Sequence, residues 1–166
     1  ALSYVSDGDG DRIETVLGTG IAPTLIGMLE QEPALAIPAL RIVRNIVSRN
    51  DAQTQTIIDA GLLLKMQHLL SHERKMIRKE ACWVLSKALQ QPNISDDALL
   101  DIVREFRRML SVERNMPVDE VLSSGVLPAL VQMLALHDKP KVQFEVAWAL
   151  TNIASTEQTR SIVDAG

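Results

Sequence analysis

One cysteine, Cys82, stands alone in 166 residues. An internal disulfide is therefore excluded, and a reducing compartment fits. Aromatic residues are almost as scarce, at 3% against 46% hydrophobic residues overall. A core made of Leu, Ala, Ile and Val favours an all-helical protein over a sandwich or barrel. No stretch approaches the ~18 continuous apolar residues of a membrane span. Nor is a charged-then-apolar leader visible. Positive charge is in deficit, with a formal net charge of −4, which argues against general nucleic-acid affinity and favours basic partners. The length suffices for one domain with a real core.

Chemistry-bearing motifs are missing too. The alternating aspartates of DGDGD at 7–11 invite comparison with a calcium loop, but Arg12 and Gly18 stand where the loop needs Gly and Glu. A helix break followed by an Asp cap accounts for the stretch better, and its acidity would repel phosphate. His68 and His72 lie one helical turn apart before Glu73, yet the zinc-protease order requires Glu directly after the first His. Helix-surface histidines are the expectation, and no metal is assigned. Arg104, Arg107 and Arg108 form a basic cluster on a helix of an acidic chain, which predicts a solvated face; Asp101 and Glu105 are spaced to pair with them. No Ser/His/Asp set, Cys/His pair or paired-carboxylate site is present. An enzyme is not expected, and no cofactor is implied.

What the chain does contain is repetition. Short helical runs end in VLGTG at Gly20, TIIDAG at Gly61, VLSSG at Gly125 and SIVDAG at Gly166, spaced by 41, 64 and 41 residues. A second helix follows each of the first three glycines: IAPTLIGMLE, LLLKMQHLL and VLPALVQMLAL. A longer third helix comes next: PALRIVRNIVS, RKEACWVLSKALQ and VQFEVAWALTNIAS. A period near 41 with one short and two longer helices predicts an all-α fold, an α-solenoid. Its segments read as the tail of a repeat at 1–8, repeats at 9–50 and 51–90, a junction and helix at 91–115, a repeat at 116–155, and the start of another at 156–166.

The third helices share one wheel. Val146, Ala149, Leu150 and Ile153 make a core-facing stripe. Trp148 and Asn152 point elsewhere, roughly 200° and 240° round from Val146. Ala39, Ile42, Val43 and Ile46 form the equivalent stripe upstream, leaving Arg41 and Asn45 outward. In the second repeat Ala81, Val84, Leu85 and Ala88 form it, with Trp83 and Lys87 outward. Stacked repeats would line these pairs along one concave surface. The plain alternative is that both tryptophans are covered by neighbouring helices.

KEACW at 79–83, PALRIVRNIV at 38–47, ALSYVSDG at 1–8 and QFEVAWALTNIAS at 143–155 resemble the armadillo repeats of the importin-α family. The resemblance covers nearly all of 1–90 and about 110–166, and it implies a right-handed α-solenoid of armadillo repeats. It implies a groove in which Trp indoles stack along the stems of cargo Lys and Arg while Asn side chains hold the peptide backbone. It implies an adaptor for basic nuclear localisation signals, at work in cytoplasm and nucleus, with importin-β engaged through regions not seen here. By the same resemblance Trp148, Asn152 and Thr159 match the start of the major cargo site. Trp83, Asn45, Arg41 and Tyr4 match positions leading to the minor one.

Several positions depart from the family pattern. Lys87 stands where Asn is usual and Arg44 where Gly is common; a cation there repels cargo cations. The turn STEQT at 155–159 is two residues shorter than the family's. Residues 1–90 resemble later repeats and 110–166 earlier ones, so the order is reversed. An engineered permutation, two joined fragments and a divergent natural chain would each produce it. An armadillo scaffold with a degraded cargo site is accordingly the alternative function. Exposed stacking faces at incomplete repeats predict either self-association or a further stretch of chain that covers them.

Overall fold

The computed structural model describes residues 10–112, 116–157 and 159–165, and every regular element among them is a helix. The chain divides into two compact units, 1–94 and 95–166.

In the first unit, α1 (Gly10–Gly18), α2 (Ala22–Met28) and α3 (Pro33–Val47) are followed by α4 (Asp51–Asp59), α5 (Leu62–Leu70) and α6 (Lys75–Leu89). Two short helices and one long helix thus occur twice, where one short and two longer are expected: the second helices have seven and nine residues, no longer than the first. Gly20 and Gly61 lie between the short helices at φ +73° and +97°, a left-handed conformation that glycine adopts at little cost. That is why the glycine signals mark helix boundaries. Asn50 caps α4 by accepting from the Gln53 N–H at 2.8 Å, satisfying one of the free donors of the first turn.

The stripes expected on the long helices are buried. Ala39, Val43, Ala81, Val84, Leu85 and Ala88 have no exposed surface. Alanines there let α3 and α6 pack closely side by side, and each buried Leu or Ile contributes ~1.5–3 kcal/mol relative to exposure. Contacts from Arg44 to Glu80, Val47 to Gln91 and Asp51 to Asn93 advance together along α3 and α6 and just past their ends, so the two helices run the same way. One boundary differs from expectation. α3 begins at Pro33, and Pro38 sits inside it. Pro33 in the first turn supplies a helix-ready φ without wasting a donor, so the helix starts a turn and a half before the sequence pattern suggests.

The second unit comprises α7 (Asp96–Met109), α8 (Val118–Ser123), α9 (Leu127–Met133), α10 (Pro140–Ala154) and α11 (Thr159–Asp164). Gly125, at φ +74°, again separates the short helices. Ser95 caps α7 through the Ala98 N–H; Asp96 and Asp97 open it, and Arg107 and Arg108 close it. That order of charge complements the helix dipole. Val146, Ala149 and Ile153 of α10 are fully buried. Phe106 of α7 is the one aromatic among the described residues with a fully buried side chain.

Helices α7 and α10 pack along their lengths. Lys139 reaches Asp96, Arg104 reaches Glu145, and Asn152 reaches Ser111. These contacts also advance together, so α7 lies beside α10 as α3 lies beside α6. In the sequence α7 reads only as a helix within the 91–115 junction; its place beside α10 comes from packing.

Candidate peptide-binding surfaces

In the second unit the candidate residues cluster on α10. Trp148 is half-exposed at 50%, and Phe144, one turn earlier, is exposed at 61%. Their ring centroids are 6.4 Å apart with planes inclined at 67°, an edge-to-face pair standing in solvent. One turn after Trp148, Asn152 donates its side-chain amide to Ser111 Oγ at 3.1 Å. Among the described residues no cation lies over the Trp148 ring. Thr159 opens α11.

The floor beside this rung is a charge cluster. Glu145 is buried, and both of its oxygens accept from arginines of α7: Oε1 from Arg104 Nε at 3.3 Å, and Oε2 from Arg107 Nε. Arg104 also donates to Asp101 at 3.2 Å. The expectation of a solvated arginine face is thus corrected for Arg104 and Arg107, which turn onto a buried carboxylate from the next repeat. Arg108 does pair with Glu105, at 2.6 Å. Burial of Glu105 pushes its carboxyl pKa up, and Arg108 opposes the shift. Nothing local in the sequence marks Glu145 as their partner; a separation of 41 residues from Arg104, one period, is the only signal.

In the first unit, Arg41 and Asn45 lie on α3, and Trp83 and Lys87 on the adjacent α6. The surroundings of Trp83 differ from those of Trp148. Arg44 Cζ sits 4.3 Å from the Trp83 ring centroid, and Lys87 Nζ lies 5.5 Å from it. Arg44 Nη1 also contacts both oxygens of Glu80, at 3.3 and 3.2 Å. The indole is therefore half-buried beneath two cations of its own chain, each within reach of the ring quadrupole. Arg41 is exposed and Asn45 half-buried. Tyr4 lies outside the described residues.

The remaining sequence candidates carry no site. His68 and His72 form an edge-to-face pair with centroids 6.0 Å apart, and His72 Nδ1 accepts from the Arg74 N–H. No group of three or more potential metal ligands occurs among the described residues. Among them, too, no helix is long and apolar enough to cross a membrane.

A family model for the armadillo/β-catenin-like repeat matches residues 50–88 and 114–155. Importin subunit alpha-1a of Oryza sativa is 49% identical over 88 residues, covering 52% of this chain and 17% of its own length. Importin subunit alpha-6 of Arabidopsis thaliana is 54% identical over 72 residues, covering 42% and 13% respectively. The matched part of this chain thus spans less than a fifth of either relative. Among solved structures, an engineered protein superposes with a TM-score of 0.59 at 27% identity, covering 99% of this chain and 77% of that one. A designed armadillo repeat protein in complex with the peptide (KR)4 gives a TM-score of 0.61 at 23% identity, covering 99% and 78%, a likeness of fold alone.

Proposed function

We propose, from the premise that this chain is built of armadillo repeats and is similar to importin α subunits, that it binds basic peptide segments of the nuclear-localisation-signal type. The reading makes it a non-catalytic adaptor moving between cytoplasm and nucleus. One observation carries it: the half-exposed Trp148 indole, free of any cation among the described residues, with the Asn152 amide one turn on. An exposed indole offers its face to the aliphatic stem and charged head of a Lys or Arg, worth ~0.5–2 kcal/mol. An amide beside it can hydrogen-bond a peptide backbone of any sequence. The charge balance of this unit supports the same reading. Residues 95–166 hold seven basic and eleven acidic residues, whereas 1–94 hold ten of each, so the chain's whole negative excess lies in the unit that carries this rung and favours an approaching cation.

The contacts of Arg44 and Lys87 with Trp83 favour a second reading for the first unit, in which the ancestral slot no longer serves basic cargo. Titration with a Lys-rich signal peptide, followed by Trp emission, tests the first reading. Trp148→Ala is expected to weaken binding about tenfold, consistent with ~1.4 kcal/mol, and Glu157→Ala less than twofold. Absence of binding at high micromolar peptide would sink the proposal.

A further inference from the structure

The first unit carries a surface of opposite preference. Helices α3 and α6 contain seven charged residues, of which six are basic: Arg41, Arg44, Lys75, Arg78, Lys79 and Lys87. The single acid, Glu80, is already bound to Arg44. Since 1–94 as a whole is balanced in charge, this concentration belongs to one helix pair and not to the unit in general.

Lys75, Lys79, Trp83 and Lys87 follow one another at four-residue steps along α6, and so form a continuous stripe. Lys79 and Arg41 are exposed, and neither has a hydrogen-bond or ion-pair partner among the described residues. Among the described residues Lys87 is held only by the Trp83 ring and by Gln90 Oε1 at 3.4 Å. Arg44 spends one nitrogen on Glu80 and lays its plane near the indole, leaving other N–H groups of the fork oriented in advance. Donors fixed this way lose less freedom on binding.

We propose that the α3–α6 face is a docking surface for an acidic peptide segment rich in Asp and Glu. An incoming Lys or Arg finds the Trp83 face covered and meets like charge from Arg44 and Lys87. An incoming carboxylate meets free ammonium and guanidinium donors. The stripe from Lys75 to Lys87 is roughly 18 Å long at the rise of an α-helix, which an extended segment of about six residues spans. Single-stranded nucleic acid fits less well, because Trp83 is the one aromatic on these helices and its covered ring offers no stacking platform.

The chain has two tryptophans, so Trp148→Phe leaves Trp83 as the sole emitter. In that variant a Trp-free hexapeptide of Glu and Asp is expected to change Trp83 emission and to bind at least tenfold more tightly than hexalysine. Arg41→Glu with Lys79→Glu should weaken the acidic peptide at least tenfold, and Lys79→Gln alone about threefold, with far-UV circular dichroism unchanged. The proposal is overturned by no response to the acidic peptide at millimolar concentration, by equal or tighter binding of hexalysine or of oligo-dT, or by affinity that survives charge reversal. Basic-peptide binding at Trp148 is read separately in Trp83→Phe, so failure on one face leaves the other measured.

Discussion

Asn152 donates to Ser111 across 41 residues, the length of one repeat. Its amide is therefore oriented by the preceding repeat before any ligand arrives. Asn152→Ala is expected to weaken a basic signal peptide about five- to tenfold, matching the ~1 kcal/mol net value of a hydrogen bond. Ser111→Ala removes only the orienting contact and should cost less than threefold. Isothermal titration of both variants checks this; equal losses would mean that Ser111 contacts the peptide itself.

Removing the cation from Trp83 should be visible spectroscopically. In the Trp148→Phe background, Arg44→Ala is expected to shift Trp83 emission to longer wavelength, since the indole loses the guanidinium over it. Stability should fall by no more than ~1 kcal/mol, because the Arg44–Glu80 pair is still partly solvated, with side-chain exposures of 40% and 28%. An unchanged emission maximum would show that the arginine does not shield the ring.

Glu145 joins α10 to α7 through two arginines, and its side chain is only 11% exposed. Glu145→Ala should destabilise the chain by ~1–2 kcal/mol, less than the loss of a fully buried partner, because both arginines can turn back into water. Thermal denaturation of this variant against Asp101→Ala, whose carboxylate side chain is 56% exposed, provides the comparison. The second substitution should cost under ~0.5 kcal/mol.

Glu105 supplies a pH signature. Burial raises its pKa on folding, so the native state holds the proton more tightly than the unfolded chain. Below the ordinary glutamate value of about 4.3 the residue is neutral in both states. As pH rises through that value and then through the folded-state pKa, the unfolded chain ionises first and stability is lost. Glu105→Gln should therefore be the more stable form at neutral pH, with the difference vanishing as pH falls below 4.3. Chemical denaturation at several pH values measures it; a variant less stable at neutral pH would show that the Arg108 contact outweighs desolvation.

Much of this protein follows from local pattern. The four-residue stripes place Ala39, Val84 and Ala149 in the core, because a 3.6-residue helix puts such positions on one face whatever lies beyond it. Positive-φ glycines separate the short helices for an equally local reason. The armadillo fold class and the importin-α likeness were legible for the same cause, since they are carried by strings within single helices.

What neighbouring helices bring together was not. Trp83 and Trp148 occupy the same wheel position, and only packing makes one of them the bed of Arg44 and leaves the other half-exposed. Arg104 and Arg107 read as a solvated cluster until α10 lays Glu145 against them. In each case the deciding group is roughly one repeat away in sequence. A helical wheel determines which side a residue faces; the partner waiting on that side is chosen by the stacking of repeats.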